Sequence, residues 1–229
     1  MIPAYNEESR IGPAMAALRD YLEAAKIDAE IIVVDDGSRD DTAAVAMASG
    51  IPGLAVLKNK RNRGKGYTVR RGLAAARGEC VLFMDADGPI SLEAVNRFMD
   101  VMRQGYDMVI SSRYLPASVL PVPQGPYRRF ASTAFRLYTS MLFWLPFSDT
   151  QCGFKMFSRR ALGLILPHAR EDGFIFDVEL LHLAKRAGLR IGEEPVTWTD
   201  HAGSKVGLFN GPIKMALDLM RLRLRTALR

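Results

Sequence analysis

The sequence of 229 residues has few cysteines and no long hydrophobic run, and both absences restrict what it can be. Its two cysteines, Cys80 and Cys152, form no CxxC motif, so neither a disulfide framework nor a zinc site is indicated. No apolar run approaches the roughly 18–20 residues of a transmembrane helix, and residues 1–8 lack the basic and apolar regions of a signal peptide. The sequence therefore predicts a protein of the reducing cytosol that does not cross a membrane by itself.

Positive charge is in modest excess and is unevenly distributed. The chain has 31 basic and 25 acidic residues, a formal net charge of +6. Segment 116–148 carries +3 with no acidic residue, segment 210–229 carries +4, and the remainder sums to −1. Two basic, apolar-rich segments on a nearly neutral body are typical of binding to an anionic membrane surface, and nucleic-acid binding is the alternative. Since 48% of the residues are hydrophobic, we expect one folded domain rather than a disordered chain.

Short apolar runs alternate with amphipathic stretches through the first half of the chain. This alternation predicts an α/β fold with a largely parallel sheet. In the last 20 residues, Ile213, Leu217, Met220 and Leu224 share one helix face, which predicts an amphipathic C-terminal helix. The strands are predicted at about 30–35, 54–58, 80–85, 107–112 and 189–198, and the other helices at about 9–26, 40–49, 66–77, 91–104, 159–166 and 175–187.

Acidic residues follow two of the predicted strands directly. In a parallel α/β sheet, ligands bind beyond the carboxyl ends of the strands. Asp35 and Asp36 end the first of these strands, and Asp85 and Asp87 follow the apolar run that precedes them. Alternate carboxylates at a strand end suit Mg²⁺ or Mn²⁺, which take few protein oxygens and complete their shell with substrate phosphates. The pattern predicts a divalent-metal site at Asp85 and Asp87.

A basic loop at residues 58–66 precedes the third predicted helix. Gly64 and Gly66 allow a backbone to approach an anion, and a helix N-terminus favours negative charge. Position 69 is Val69, so the loop is not a dinucleotide fingerprint, and no Walker motif occurs. The basic loop and the acidic strand ends together predict a site for a diphosphate ester with a divalent metal, for which a nucleotide-sugar is the natural candidate.

Eight motifs run in order along nearly the whole chain and carry a family resemblance. The sequence resembles the family 2 glycosyltransferases of the GT-A fold, and within them the dolichyl-phosphate and polyprenyl-phosphate hexosyltransferases. The runs DTQCGFK and FDVEL are more similar to the glucosyltransferases than to the mannosyltransferases of this group. The motifs are 3–7 (PAYNE), 33–38 (VVDDGS), 62–66 (NRGKG), 85–87 (DAD), 111–113 (SSR), 149–155 (DTQCGFK), 176–180 (FDVEL) and 203–205 (GSK).

The resemblance implies a GT-A domain at residues 1–208 with a Rossmann-like, mostly parallel central sheet flanked by helices. Residues 1–115 would be its nucleotide-sugar half and residues 116–208 its acceptor half, with a basic amphipathic helix at 209–229. Relatives have a complete apolar strand before the PAYNE motif, whereas only two residues precede Pro3 here. The first strand is therefore expected to be truncated.

The resemblance also assigns roles on the donor side. Asp36 would bond the base, Asp85 would meet the ribose or sugar, and Asp87 would bind the metal that bridges the diphosphate. Arg113 would neutralise phosphate oxygens as a planar fork. The other residues implied in nucleotide-sugar binding are Pro3, Ala4, Tyr5, Glu7, Lys65, Ala86, Ser204 and Lys205.

On the acceptor side, Lys155 with Arg128 or Arg129 would hold a lipid phosphate. Because a phosphate monoester with a second pKa of about 6 is largely dianionic at pH 7, no general base is required. Asp177 is therefore favoured as a residue that positions sugar or acceptor, and proton abstraction is its weaker assignment.

The resulting hypothesis is a metal-dependent, inverting hexosyltransferase with a nucleotide-sugar donor and a dolichyl or polyprenyl phosphate acceptor. It would move glucose from UDP-glucose while bound to the cytosolic face of a membrane, with GDP-mannose as the alternative donor. A haloacid-dehalogenase-like phosphatase and a basic nucleic-acid adaptor are the alternatives of other classes. The neutral body of the chain disfavours nucleic acid as a partner, and the sequence leaves the oligomeric state open.

Overall fold

The structure is a computed structural model that describes residues 1–88, 90–121, 126–199 and 210–227. The side chains of residues 126–129, 210–213 and 227 lie outside this description. Two predicted sets of binding residues therefore fall outside it, namely the side chains of Arg128 and Arg129 and the pair Ser204 and Lys205.

The strands form two sheets. In the first, β1, β2 and β3 are parallel and β2 lies in the middle; in the second, the order is β4, β6, β5, β7. The two sheets meet at Met1, whose nitrogen donates to the Leu82 carbonyl (2.8 Å) and whose carbonyl accepts from the Met84 amide (3.2 Å). The strands are β1 (Ile2–Ala4), β2 (Ile32–Asp35), β3 (Ala55–Lys58), β4 (Cys80–Met84), β5 (Met108–Ser112), β6 (Phe154–Ser158) and β7 (Ile191–Pro195).

Helices pack against both faces of the two sheets. Side chains of successive strand residues point to opposite faces of a sheet, so apolar strands present apolar side chains on both faces. In β2, Ile32 and Val34 belong to one hydrophobic core and Val33 belongs to the other. Burial on both faces is typical of sheets with parallel strands. The helices are α1 (Glu8–Ala25), α2 (Thr42–Met47), α3 (Lys65–Ala75), α4 (Ala94–Arg103), α5 (Pro126–Phe143), α6 (Arg159–Ile165), α7 (Phe176–Arg186) and α8 (Asn210–Ala227).

The predicted α/β class with a mostly parallel central sheet is confirmed. Strand β1 has three residues, and the expected truncation of the first strand stays a prediction. The predicted C-terminal helix is observed as α8, whereas the division of the domain into two halves stays a prediction. No helix in the described part of the chain combines the length and the hydropathy required to span a bilayer.

Two elements were not predicted. The antiparallel strand β6 pairs with β4 and β5, and its sequence is interrupted by the charge of Lys155, which obscures the apolar pattern of a buried strand. Helix α5 begins at Pro126, in a segment where prolines suggested an interrupted chain. Proline is nonetheless favoured in the first turn of a helix, because its missing N–H has no intrahelical partner there.

Candidate active site

The loops that follow β1 and β2 are hydrogen-bonded to each other. The Asp36 amide donates to the Ala4 carbonyl (2.8 Å), and the Asn6 amide donates to the Ser38 hydroxyl (2.9 Å). The Asn6 side-chain carbonyl in turn accepts from the amide of Arg39 (2.9 Å). The PAYNE and VVDDGS motifs, which lie about thirty residues apart in sequence, therefore form one edge of the site.

Residues of the PAYNE motif line this edge at successive positions. Pro3 and Ala4 belong to β1, and Tyr5 is half-buried just beyond the end of that strand. Glu7 forms an ion pair with Arg10 one turn into α1 (2.6 Å). Arg10 also lies 3.8 Å from Asp87. Arg10 was missed by the sequence reasoning, although its position three residues after Glu7 at a helix start is a recognisable ion-pair spacing.

Asp36 is buried and holds the basic loop in place. Its carboxylate accepts from the Asn59 side-chain amide (2.7 Å) and from the backbone amides of Arg63 and Gly64 (both 2.9 Å). Gly64 has a φ of +100°, a conformation that side chains rarely adopt. The predicted bond from Asp36 to a base stays a prediction, and the structure adds that Asp36 positions the loop leading to Lys65.

Lys65 joins the basic loop to the acidic end of β4. Its ammonium lies 2.7 Å from the Asp85 carboxylate. Burial by itself would lower the pKa of Lys65, but Asp85, followed by Asp177 and Asp87, outweighs burial and raises that pKa. Lys65 is therefore held protonated between three carboxylates that the chain brings together from two separate motifs, 85–87 and 176–180.

The negative charge of Asp87 has a more distant cation beside it than the charge of Asp85, since Arg10 is 3.8 Å from Asp87 and Lys65 is 2.7 Å from Asp85. Burial raises the pKa of Asp87, and the nearby charge of Asp85 raises it further, while Arg10 and Lys65 act in the opposite direction. Ala86 between the two acids is buried. A hard cation beside Asp85 and Asp87 would offset this repulsion, so the donor set fits the predicted Mg²⁺ or Mn²⁺.

The number of protein side chains that could bind a metal ion at Asp85 and Asp87 is small. Within the described ranges, no group of three or more His, Cys, Asp and Glu side chains is arranged to hold a metal ion. A cation at Asp85 and Asp87 would therefore need further oxygens from its ligand, as Mg²⁺ does when it binds through one or two carboxylates and substrate phosphates.

The backbone packs closely around Asp85. The Asp85 amide donates to the Gly153 carbonyl (3.0 Å), and a Cβ atom added to Gly153 would lie 1.9 Å from a carboxylate oxygen of Asp85. A side chain at position 153, in the middle of the DTQCGFK motif, would therefore displace the Asp85 carboxylate from its present position. This contact connects the end of β4 to the start of β6.

Beneath this cluster, Lys155 and Asp177 form a buried ion pair. Their ammonium and carboxylate are 2.5 Å apart, and the exposed fractions of the two side chains are 0% and 4%. Lys155 also donates to the Cys152 carbonyl (2.5 Å). Burial raises the pKa of Asp177, while Lys155 and then Lys65 lower it. The structure thus brings Lys155 to Asp177 rather than to a surface where it meets solvent, and its predicted contact with an acceptor phosphate stays a prediction.

Arg113 also forms an ion pair with a buried carboxylate, that of Asp149. Its Nε and one terminal nitrogen donate to the two carboxylate oxygens of Asp149 (2.7 and 3.1 Å). Although burial would raise the pKa of Asp149, Arg113 outweighs burial and lowers it. The Arg113 guanidinium also lies 5.5 Å from the ring centre of Trp198. The predicted phosphate contact of Arg113 remains a prediction; Asp149, to which no role was assigned, is its partner in the structure.

Comparison with known proteins places this arrangement in a family. Glycosyl transferase family 2 matches residues 1–165. Dolichyl-phosphate beta-glucosyltransferase of Dictyostelium discoideum is 36% identical over 98% of this chain and 73% of its own length. The proteins of the same name from Saccharomyces cerevisiae and Homo sapiens are 34% and 33% identical, over 98% of this chain and 73% and 74% of their own lengths.

Solved structures show the same fold. Glucosyl-3-phosphoglycerate synthase from Mycobacterium tuberculosis, in complex with Mn²⁺, uridine-diphosphate and phosphoglyceric acid, matches with a TM-score of 0.74. It is 23% identical, and the match covers 97% of this chain and 76% of that one. A second structure of that enzyme matches with a TM-score of 0.67 at 25% identity, over 97% of this chain and 78% of its own. The predicted GT-A fold is confirmed, and the chain belongs to glycosyltransferase family 2.

Proposed function

We propose that this glycosyltransferase moves glucose from UDP-glucose to dolichyl or polyprenyl phosphate in a single inverting step. The observation that carries the proposal is the cluster at the strand ends, where Lys65 contacts Asp85 and where Asp87 lies beside Arg10. Paired carboxylates and cations of this kind suit a metal-bound diphosphate. The names of the relatives, at 32–36% identity, support glucose as the sugar and dolichyl phosphate as the acceptor.

Asp85 and Asp87 are the residues that would hold Mg²⁺ or Mn²⁺. When bound, the cation would supply electrostatic stabilisation of the diphosphate that leaves with the nucleotide. Lys65 contributes a fixed positive charge at the same place, and a preorganised charge stabilises negative charge that develops on a leaving group. Because Lys65 is kept protonated by three carboxylates, it provides this charge throughout the neutral pH range.

Asp177 acts as a positioning residue in this proposal. Its carboxylate is engaged by Lys155 and is nearly inaccessible, which is unfavourable for a base that must reach a proton on a substrate. An acceptor phosphate that is largely dianionic at neutral pH needs no such base. The charge of Asp177 instead helps to keep Lys65 protonated.

Exposed apolar side chains on two neighbouring helices support binding to a membrane. On α5, Phe130, Leu137 and Met141 are exposed at a spacing that puts them on one helix face. Trp144, just after the helix, is exposed too. On α8, which packs against α5, the exposed apolar residues are Leu217, Met220 and Leu224, with Lys214 and Arg221 exposed beside them.

We define the α8 stripe as Leu217, Met220 and Leu224. A helix with an apolar face and flanking cations binds in the interface of an anionic bilayer. The opposite side of α8 is packed into the core through Leu219 and Leu222. The α8 stripe is thus free to enter a bilayer while the helix stays attached to the domain. We propose that the membrane face bound in this way is the cytosolic one.

Replacing Leu217 and Leu224 together by aspartate is expected to weaken binding to vesicles at least about tenfold, because each exposed leucine contributes burial of apolar area in the bilayer. Flotation with vesicles of phosphatidylcholine and phosphatidylserine measures this. Met47→Asp, which changes an exposed apolar residue on α2, is the control and should float as the wild type does. Equal flotation of the double variant and the wild type would contradict a membrane role of α8.

Donor and acceptor profiling tests the reaction itself. The full chain is incubated with dolichyl phosphate and Mn²⁺, and with either UDP-glucose or GDP-mannose. We expect a lipid-linked glucose product only with UDP-glucose, and we expect chelation of the metal to stop its formation. Faster transfer from GDP-mannose would replace glucose by mannose in the proposal, and phosphate release from simple esters would favour the phosphatase alternative.

A further inference from the structure

The start of α3 is held by a segment from the other half of the chain. The Asp172 carbonyl accepts hydrogen bonds from the amides of Gly66 (2.8 Å) and Tyr67 (3.3 Å). The first amides of a helix have no intrahelical partner, so an external carbonyl fixes where the helix begins. Because Lys65 is the first residue of α3, the position of Asp172 bears directly on the position of Lys65.

The approach of this segment is close enough to require glycine. A Cβ atom on Gly64 would lie 2.3 Å from the Asp172 carbonyl oxygen, and one on Gly66 would lie 2.3 Å from the Glu171 carbonyl oxygen. The two glycines that sequence analysis assigned to anion binding therefore also serve this backbone contact. Segment 171–172 and the start of α3 are therefore in direct backbone contact.

Glu179 on α7 and Arg70 on α3 hold segment 171–172. One Glu179 carboxylate oxygen accepts from the backbone amides of Arg170 (2.9 Å) and Glu171 (2.7 Å). The Arg70 guanidinium donates to the Glu171 carbonyl and to the Asp172 carboxylate. The segment is thus fixed from two sides by charge-assisted hydrogen bonds, which are stronger than neutral ones.

The C-terminal helix α8 contacts the Glu179 carboxylate through Arg225. The guanidinium of Arg225 donates to the other oxygen of Glu179 (2.7 Å), and it lies 3.5 Å from the Glu171 carboxylate. Glu179 is 3% exposed, so its charge needs a partner inside the protein. A continuous path of direct contacts therefore runs from α8 through Arg225, Glu179 and segment 171–172 to the start of α3.

We infer that Arg225 is a positioning residue for donor binding. By holding Glu179 and segment 171–172, it sets the start of α3 and hence the place where Lys65 meets Asp85. Donor affinity then depends on how α8 is seated, which links the helix that carries the α8 stripe to the donor site. The inference rests on the proposed function for the identity of the donor, but the contact path itself does not depend on that identity.

The test compares Arg225→Gln with Arg186→Gln in the full chain. Arg186 also attaches α7 to α8, through a hydrogen bond to the Thr226 carbonyl (3.0 Å), but it does not contact segment 171–172 in the described structure. A purely structural loosening of α8 would affect both variants alike. Arg225→Lys keeps the charge and serves as the conservative variant.

We expect Arg225→Gln to raise the KM for UDP-glucose at least about fivefold, because a displaced Lys65 holds the diphosphate less well. We expect kcat to fall as well, because Lys65 also stabilises negative charge that develops on the leaving group. Arg186→Gln should keep the wild-type KM, and Arg225→Lys should recover part of the lost affinity. Isothermal titration of UDP-glucose with Mn²⁺ present provides the affinity without acceptor. A KM that rises equally in Arg186→Gln, or not at all in Arg225→Gln, would overturn the inference.

Hydrogen exchange separates this inference from the proposed function. In the ligand-free protein, the amides of Gly66 and Tyr67 should exchange about tenfold faster in Arg225→Gln than in Arg186→Gln, because local opening governs exchange. This result is expected even if the wild type transfers a sugar other than glucose. Equal exchange at both amides in the two variants would show that Arg225 does not position the start of α3.

Discussion

The variant Asp87→Asn is expected to lose at least about a thousandfold in kcat/KM, because it removes charge that would hold a cation against the leaving diphosphate. Asp87 is half-buried, and its pKa is already raised by burial and by Asp85. Asparagine keeps the size of the side chain and removes its negative charge. Steady-state transfer to dolichyl phosphate, with Mn²⁺ varied over a wide range, measures the loss.

Binding of Mn²⁺ gives a readout that is independent of turnover. Titration of Mn²⁺ in the presence of UDP, followed by electron paramagnetic resonance, should show that Asp87→Asn weakens metal binding. The matched control is Asp100→Asn on α4, where an exposed carboxylate contacts Arg103 on the surface. That variant should behave as the wild type does. If Asp87→Asn retains metal-responsive turnover, the strand-end site is wrongly assigned.

Lys155→Met is expected to reduce the free energy of unfolding by about 3–5 kcal/mol, because it leaves the Asp177 carboxylate buried without its partner. Methionine preserves much of the length and the apolar contacts of the lysine stem. Urea unfolding followed by circular dichroism measures the difference. Lys185→Met, at an exposed lysine of α7 that donates to the Trp144 carbonyl, is the control and should cost less than about 1 kcal/mol.

The double variant Lys155→Met with Asp177→Leu distinguishes the loss of a partner from a loss of packing. Replacement of both charges by apolar groups of similar size is often nearly neutral, so we expect it to recover most of the lost stability. If the double variant were as unstable as Lys155→Met, packing at position 155 rather than the unpaired charge would be responsible. Activity should not recover with stability, since the double variant lacks the carboxylate of Asp177, which the proposed function uses as a positioning residue.

The stability loss in Lys155→Met should depend on pH in a defined direction. Burial raises the folded-state pKa of Asp177, and Lys155 is the main group that opposes this. A carboxyl whose folded pKa is raised stabilises the fold below its unfolded pKa of about 4, and this contribution is lost as the pH rises through the folded pKa. Removal of Lys155 raises the folded pKa further. The deficit relative to the wild type should therefore be small near pH 4 and grow towards neutral pH.

The central strands and the acidic strand ends were predictable because their signals are local. The run before Asp35 and the run before Asp85 are apolar over four or five consecutive residues, as strands buried on both faces are. In a parallel sheet the ends of such strands lie at one edge, so a shared site was predictable from sequence. In the structure Lys65 connects the two motifs, since Asp36 holds its loop and its ammonium contacts Asp85. Strand β6 was not predictable in this way, since Lys155 looks unsuitable for a buried strand until its partner Asp177 is known.

The partners of the charged residues were the part that sequence reasoning missed. Arg113 and Lys155 were expected to face phosphates, yet they pair with Asp149 and Asp177. Arg225 belongs to the basic segment 210–229, which was expected to bind a membrane surface, yet it reaches Glu179 on α7. In each case the ion pair joins residues that are more than twenty positions apart in the chain, beyond the reach of any helical or strand periodicity.

By itself, the sequence determined the α/β class, the strand ends that carry the acidic residues, and the family resemblance that the comparisons confirmed. These depend on short-range patterns, in which apolar residues mark strands and helices and polar residues mark their ends. Only the tertiary structure decided which charges are paired inside the protein and which distant residue is the partner of each. Burial makes an unpaired charge costly, so the partner of each charge depends on which distant segments the fold packs together.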